Sequence, residues 1–310
     1  MSTLESPPVP AATRVFIAGG TGLIGQQLVA AWRARGADVV VSSRRPRPSE
    51  PGVEYVAWDP AAGPAPAAEL HRCDIVYNLI GDTIGASRWS RAKRRSLRAS
   101  RIESTRKIVA ALGGRTRVFV NASAVSAYPG DGIEYPEDRP VPLPTAPSFI
   151  NAMTHDWEAT ANQASAEIRV VIARIGVVIA AEGMLAGVLP LFRWRIGRFL
   201  GSPGTPVPWV DERDLARLLV HVAETESSGS FNLVGPASPP FSEFADAVQA
   251  IIGHRSWLGL PAPVVRAVLG KHAAELVLAR YQVRPDRALA SGFVFEHTDL
   301  RQSIQEALNR

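Results

Sequence analysis

The 310-residue chain contains a single cysteine, Cys73, and only three lysines, Lys93, Lys107 and Lys271. One thiol excludes an internal disulfide, which suits a reducing compartment, and a cytoplasmic location is the expectation. No apolar run approaches the ~20 residues that a bilayer-spanning helix requires, so no membrane partner is expected. Spacings such as Cys-x-x-Cys or His-Glu-x-x-His are missing, so no metal is expected either. Residues 1–12 are rich in Pro, Ser and Ala but lack the basic start and apolar centre of a signal peptide. They read as a disordered arm.

With so few lysines, the 34 basic residues are nearly all arginine; they face 29 acidic ones, for a formal net charge of +5. The densest block is Arg88, Arg91, Lys93, Arg94, Arg95, Arg98 and Arg101. On a helix Arg91, Arg94, Arg98 and Arg101 share one face. Trp89 is the lone aromatic there and no nucleic-acid motif accompanies the block, so no nucleic-acid partner is expected. The block reads as a solvated helix whose inner end points into a site for an anionic ligand.

The strongest local signal is Gly19-Gly20-Thr21-Gly22-Leu23-Ile24-Gly25. It follows a short β-branched and aromatic run, residues 14–18, and leads into an amphipathic stretch with Leu23, Ile24, Leu28, Ala31 and Trp32 at helical spacing. Glycine lets the backbone turn sharply and approach a pyrophosphate, while the helix start offers unpaired N–H groups and the positive end of its dipole. A second strand, residues 37–43, supplies the βαβ context that a dinucleotide site requires.

Further strands are expected at 53–58, 74–80, 117–122 and 169–179, with a long helix at 88–112. This alternation predicts an α/β fold with a doubly wound parallel Rossmann sheet. Residues 183–208 mix Gly, Pro, Trp and Arg and read as an excursion from the sheet. A helix at 214–224 and a strand at 230–234 rejoin it. From residue 236 onward the chain reads as helical, at 241–252, 263–269, 273–280 and 300–308. Residues 13–182 with 209–235 are thus assigned to an NADP-binding Rossmann domain. Residues 183–208 with 236–310 are assigned to a smaller, mostly helical substrate lobe.

The second strand ends in Ser42-Ser43-Arg44-Arg45, where an acidic residue would bind ribose hydroxyls and repel a 2′-phosphate. Arginine forks suit phosphate oxygens. NADP(H) is therefore expected, with Arg44 the main contact and Ser43 or Arg45 assisting. The cofactor set is Gly19, Thr21, Gly22, Leu23, Ile24, Gly25, Ser43, Arg44, Asp59 and Gly81.

The glycine loop, the strand end Asn121-Ala122-Ser123-Ala124-Val125 and the later Arg174-Ile175-Gly176 resemble the extended short-chain dehydrogenase/reductases. Gly81 with Ile84 and Arg88-Trp89, Ser100-Arg101-Ile102 with Thr105, Ser123-Ala124-Val125 with Tyr128, Trp157-Glu158, Trp209 with Asp214, and Gly292-Phe293 with Phe295 narrow the likeness. They are similar to the atypical, epimerase-like subgroup often described as nucleoside-diphosphate-sugar epimerases of unknown substrate. The likeness runs over roughly residues 14–308.

The resemblance implies a Ser, a Tyr-x-x-x-Lys pair and an Asn, in which the lysine lowers the tyrosine pKa for proton transfer beside a nicotinamide. Counting back from Glu158 puts Thr154 and Ile150 at the Lys and Tyr positions. Trp89, Glu103 and Ala267 stand four residues before the three lysines, so no such pair exists anywhere in the chain. Arg101 occupies the Asn position. The subgroup shares this lack, although Ala127, Pro129 and Asp211 depart from its own pattern.

The candidates that remain are Ser123, Tyr128 and Arg101 for catalysis, and Arg88, Trp89, Trp209 and Asp211 for substrate. Ser123 either bonds a substrate oxygen or is satisfied by local backbone. Tyr128 donates a proton or packs. Arg88 and Arg101 hold an anionic or carbonyl group or form ion pairs. Asp211 orients substrate or starts a helix. His155 reads as a solvent-facing helix residue. The expected function is an NADP(H)-dependent oxidoreductase or epimerase-like enzyme on a small, in one reading anionic, carbonyl or hydroxyl compound. A non-redox isomerase, dehydratase or cyclase, and a catalytically silent NADP(H)-binding module, are the alternatives.

Overall fold

The computed structural model describes residues 13–85, 88–141 and 147–309; the expected arm at 1–12 lies outside them. The first half of the chain runs β1 (Arg14–Ala18), α1 (Leu23–Ala34), β2 (Asp38–Ser43), β3 (Val53–Ala57), α2 (Ala67–Leu70), β4 (Ile75–Asn78), α3 (Arg91–Ala111) and β5 (Val118–Ala124). It continues through β6 (Asp131–Tyr135), α4 (Phe149–Ala161), β7 (Arg169–Ile175), β8 (Val177–Ile179), α5 (Met184–Arg193), β9 (Leu200–Gly201), β10 (Trp209–Asp211), α6 (Glu212–Glu224) and β11 (Gly229–Leu233). The last part holds α7 (Phe241–Ile252), β12 (Leu260–Pro261), α8 (Ala262–Leu278), β13 (Arg280–Val283), α9 (Asp286–Ala290) and α10 (Leu300–Leu308).

Seven strands form one parallel sheet in the order β11-β7-β5-β4-β1-β2-β3. This is the doubly wound Rossmann architecture that the strand–helix alternation predicts. Successive residues of each strand face opposite sides, which explains the near-continuous apolar runs. Val15, Ile17, Val39, Val41, Val120 and Val171 pack under α1 and α6 with Leu28, Trp32, Leu215, Leu218 and Leu219. Phe16, Ala18, Val40, Val76, Phe119 and Ile172 pack on the other side with Leu70, Ile108 and Ala161. Two polar groups in the first layer pair with each other: Trp32 donates to the Tyr77 hydroxyl at 3.2 Å, which donates to Leu219 O at 2.9 Å. Cys73 is fully buried in the second layer, and burial pushes its thiol up to about 11.

Two sequence-based expectations change. The strand expected at 169–179 breaks at Gly176, where a Cβ would lie 2.3 Å from Pro208 O. The close approach lets the chain leave the sheet, and β8 pairs with β10 instead. The excursion at 183–208 contains a ten-residue helix, α5, whose Leu185 and Phe192 join Ile179, Val207, Trp209, Phe241, Phe244 and Ile304 in a separate core. The two helices expected at 263–269 and 273–280 lie end to end within α8 and are separated at Gly270, whose φ +73° and ψ 171° are not helical. A parallel pair outside the main sheet, β6 with β13, was not anticipated, because its strands are short and flanked by glycine and proline. Among the described residues, no helix is long and apolar enough to cross a membrane.

Candidate functional site

The C-terminal edge of the sheet gathers the glycine turn after β1, the arginines after β2, the Gly81 segment after β4 and Ser123, the penultimate residue of β5. In the turn, Gly19 has φ +83°, and a Cβ there would lie 2.9 Å from Leu79 C. A Cβ on Gly25 would lie 2.3 Å from Gly19 O and 2.6 Å from Gly20 Cα. Gly22 caps α1 with no side-chain hydrogen bond, so the first-turn N–H groups of Leu23, Ile24 and Gly25 carry no side-chain cap. Thr21 lies within the turn, its carbonyl accepting from Gln26 Nε2 at 3.0 Å. A turn with no room for side chains and uncapped donors at its mouth fits a dinucleotide pyrophosphate.

Ser43 is buried at the end of β2, whereas Arg44 and Arg45 are exposed. Neither guanidinium has an ion-pair or hydrogen-bond partner among the described residues. Two uncommitted cations at this strand end fit a 2′-phosphate. Asp59, two residues past β3, accepts from Ala61 N at 2.9 Å and forms a local turn.

On β5 and β7, Ser123 and Arg174 are direct register partners, and Glu158 of α4 lies against both. Arg174 grips the Glu158 carboxylate with two bonds, Nε to Oε1 at 2.9 Å and Nη2 to Oε2 at 2.8 Å. Ser123 Oγ donates to Glu158 Oε1 at 2.5 Å. The serine is thus satisfied by a carboxylate and not by local backbone. Burial opposes the Arg174 charge, but the Glu158 bonds outweigh it and hold its pKa above the ordinary value.

Tyr128 is 1% exposed and donates to Asn232 Oδ1 at 2.8 Å. Its ring stacks on Tyr135 at 5.1 Å and lies under the Arg174 guanidinium at 4.8 Å. Burial raises its pKa. Of the two sequence-based readings for this tyrosine, the contacts are those of packing.

Arg101 is only 8% exposed. Its Nη1 donates to Asp82 O and Leu97 O at 3.2 Å, and its guanidinium lies 5.3 Å over Trp157. A Cβ on Gly81 would be 3.1 Å from its Cζ and Nη2, so Gly81 sits directly against this cation. No described carboxylate pairs with it, and burial pushes its pKa down to about 10. The segment is tied down by Asp82, which accepts from Lys93 at 2.9 Å and Ser96 at 2.7 Å and donates its N–H to Ser100 Oγ at 2.9 Å. Beneath it, Asn78 bonds Thr105 and Asn121 at 2.8 Å each, and Trp157 Nε1 donates to Thr105 Oγ1 at 2.9 Å.

The residues expected to contact substrate make the following contacts within the protein. Arg88 Nε donates to Val268 O at 3.0 Å and its Nη2 to Ala267 O, tying its loop to α8. Trp89 is buried against Phe149, with its N–H on Ile84 O at 3.0 Å. Trp209 belongs to the separate core and lines one edge of a depression of about 580 Å³ with residues of α7 and α10. Asp211 caps α6, accepting from Arg213 N at 2.9 Å and pairing with its guanidinium at 2.7 Å. Burial works against its charge, but Arg213 holds its pKa below the usual carboxylate value. His155 is half-buried, not solvent-facing, and its Nε2 finds no partner among the described residues.

Glu158 and Arg174 served only as landmarks in the sequence reading, yet they hold Ser123. A lone arginine inside Val-Val-Ile-Ala-Arg-Ile is the signal that points to them. A charge within a buried strand requires a buried partner.

The sequence profile of the NAD dependent epimerase/dehydratase family matches residues 15–234, and that of a domain of unknown function, DUF1731, matches residues 260–307. Epimerase family protein SDR39U1 of Homo sapiens is 33% identical over 301 residues, spanning 94% of this chain and 99% of that protein. Epimerase family protein ML0860 of Mycobacterium leprae (strain TN) is 34% identical over 302 residues, 96% of each chain. The crystal structure of human SDR39U1 (isoform 2) with NADPH superposes with a TM-score of 0.81 at 31% identity, covering 96% of this chain and 99% of that one.

Proposed function

The chain belongs to the NAD dependent epimerase/dehydratase family, and from that premise we propose that it binds NADP(H) across the C-terminal edge of the sheet. There it acts as an oxidoreductase or epimerase-like enzyme on a small hydroxyl or carbonyl compound. Residues 13–182 with 209–235 hold the cofactor, and residues 183–208 with 236–310 form the lobe beside it. Its one cysteine is buried and free, which is compatible with the reducing cytoplasm expected from the sequence. The observation that carries cofactor choice is the pair of uncommitted guanidiniums, Arg44 and Arg45, at the end of β2. Arg44→Ala is expected to weaken NADPH about tenfold while leaving NADH within about twofold. Paired titrations of wild type and variant decide this; equal wild-type affinities for the two nucleotides would sink it.

When bound, the nicotinamide supplies or takes up a hydride; everything else falls to the chain's own residues. Glu158, ionised against Arg174, can only accept, so the Ser123 proton is committed to it. The oxygen that remains is an acceptor. It orients a substrate group that brings its own hydrogen, which favours the hydroxyl form of the substrate at this point. Arg101 adds a buried positive charge beside Gly81, suited to a substrate carrying negative charge or to a developing oxyanion.

An absorbance assay at the NADPH band over a library of hydroxy and oxo compounds tests the reading. Ser123→Ala is expected to lower turnover about 100-fold with NADPH affinity unchanged. Tyr128→Phe should leave turnover intact and cost about 1 kcal/mol of stability through its lost bond to Asn232. The commitment of that phenol, together with the missing Tyr/Lys pair, favours a second reading, an NADP(H)-binding protein without turnover. Tight NADPH binding with no substrate in the library consumed supports it.

A further inference from the structure

The stretch Phe192-Arg193-Trp194-Arg195-Ile196-Gly197-Arg198-Phe199 alternates basic and apolar groups, and the proposed cofactor site does not use it. The fold zips it against residues 254–260. Trp257 N and Leu258 N both donate to Arg195 O at 3.3 Å, Arg198 N donates to Leu258 O at 3.0 Å, and Leu260 N donates to Phe199 O at 2.8 Å. β9 and β12 continue the pairing. Two glycines seal the inner side: a Cβ on Gly197 would lie 2.5 Å from the Phe192 ring, and one on Gly259 2.2 Å from the Phe199 ring.

The outer side is the reverse of a core. Trp194, Trp257 and Leu258 are 73%, 74% and 53% exposed on this one ridge. Arg193, Arg195 and Arg255 flank them, exposed and without an ion-pair or side-chain hydrogen-bond partner among the described residues. Indole groups beside uncommitted guanidiniums match the boundary of an anionic bilayer, where the rings sit at headgroup depth and cations meet lipid phosphates.

We propose that the ridge built by residues 193–195 and 255–258 is a peripheral docking surface for an anionic lipid bilayer. Trp194, Trp257 and Leu258 enter the headgroup–acyl boundary, and Arg193, Arg195 and Arg255 pair with lipid phosphates. The expectation of no membrane partner rested on the lack of a spanning run and on Gly197 and Pro190 interrupting an amphipathic helix here, and docking by a backbone-paired ridge needs neither. A second copy of the chain fits less well, because a two-fold contact would press these arginines against their own counterparts. Nucleic acid has phosphates too but offers Leu258 nothing to enter.

The test is flotation of the full chain with phosphatidylcholine vesicles, either plain or carrying about 30 mol% phosphatidylglycerol. Binding is expected only to the anionic vesicles and should fall steeply by about 0.5 M salt. Trp194→Ala/Trp257→Ala and Arg193→Ala/Arg255→Ala should each weaken it about tenfold or more, with unchanged Tm. Arg91→Ala/Arg95→Ala removes the same charge from α3 and should leave it within about twofold. The proposal is overturned by no flotation with anionic vesicles, or by equal loss in the α3 variant, which marks bulk charge alone. It is equally overturned if the ridge variants abolish dimerisation or binding to a short DNA duplex while flotation persists.

Discussion

Replacing Glu158 with alanine is expected to destabilise the fold by about 3–5 kcal/mol, a large part of the ~5–15 kcal/mol that holds a typical domain together. Both side chains of the Glu158–Arg174 pair are 10% exposed. Removing the carboxylate leaves the Arg174 guanidinium buried over the Tyr128 ring with no counter-charge, and leaves the Ser123 hydroxyl without its acceptor. Arginine cannot shed its proton to escape. The charge must stay in a poor solvent or drag water in. Removing both charges together, in Glu158→Leu/Arg174→Met, should be markedly milder than the single change, since no lone ion remains. Urea denaturation of the wild type and the two variants measures this. A Glu158→Ala loss under about 1 kcal/mol would mean that the pair is solvated and does not organise the edge of β5 and β7.

Gly25→Ala is expected to lower NADPH affinity about 100-fold, roughly 2.7 kcal/mol, with a smaller loss of stability of about 1–3 kcal/mol. The methyl would meet Gly19 O at 2.3 Å and Gly20 Cα at 2.6 Å. Both are backbone atoms of the turn itself, so no side chain can rotate aside. The turn has to open, and its N–H groups lose their common aim. Gly63→Ala is the control, since a Cβ there meets nothing within 4 Å and the position needs no positive φ. It should change neither quantity. Fluorescence titration with NADPH reads the difference. Unchanged affinity in Gly25→Ala would detach the glycine turn from cofactor binding.

The two variants probe features that differ in how far sequence reasoning reached. Gly19, Gly22 and Gly25 lie within seven residues of one another, between a strand and a helix, so their role is written in local order. Ser123, Glu158 and Arg174 are 35 and 16 residues apart along the chain, each in a different element. Their meeting depends on β5 and β7 being neighbours in the sheet and on α4 covering them. Arg101 was correctly placed on a helix, but only packing shows that its guanidinium turns inward over Trp157 and not into solvent. Asp211 and Trp209 carried the chemistry of a site in the sequence; the fold employs them as a helix cap and a core ring.

By itself the sequence determined the doubly wound sheet, the glycine turn and the basic end of β2, because periodicity and turn chemistry act between near neighbours. The tertiary structure alone decided that the Ser123 proton goes to Glu158 and that Tyr128 is sealed away. Those outcomes depend on which buried charges and hydroxyls end up within hydrogen-bond reach, and that is set by strand order across the sheet.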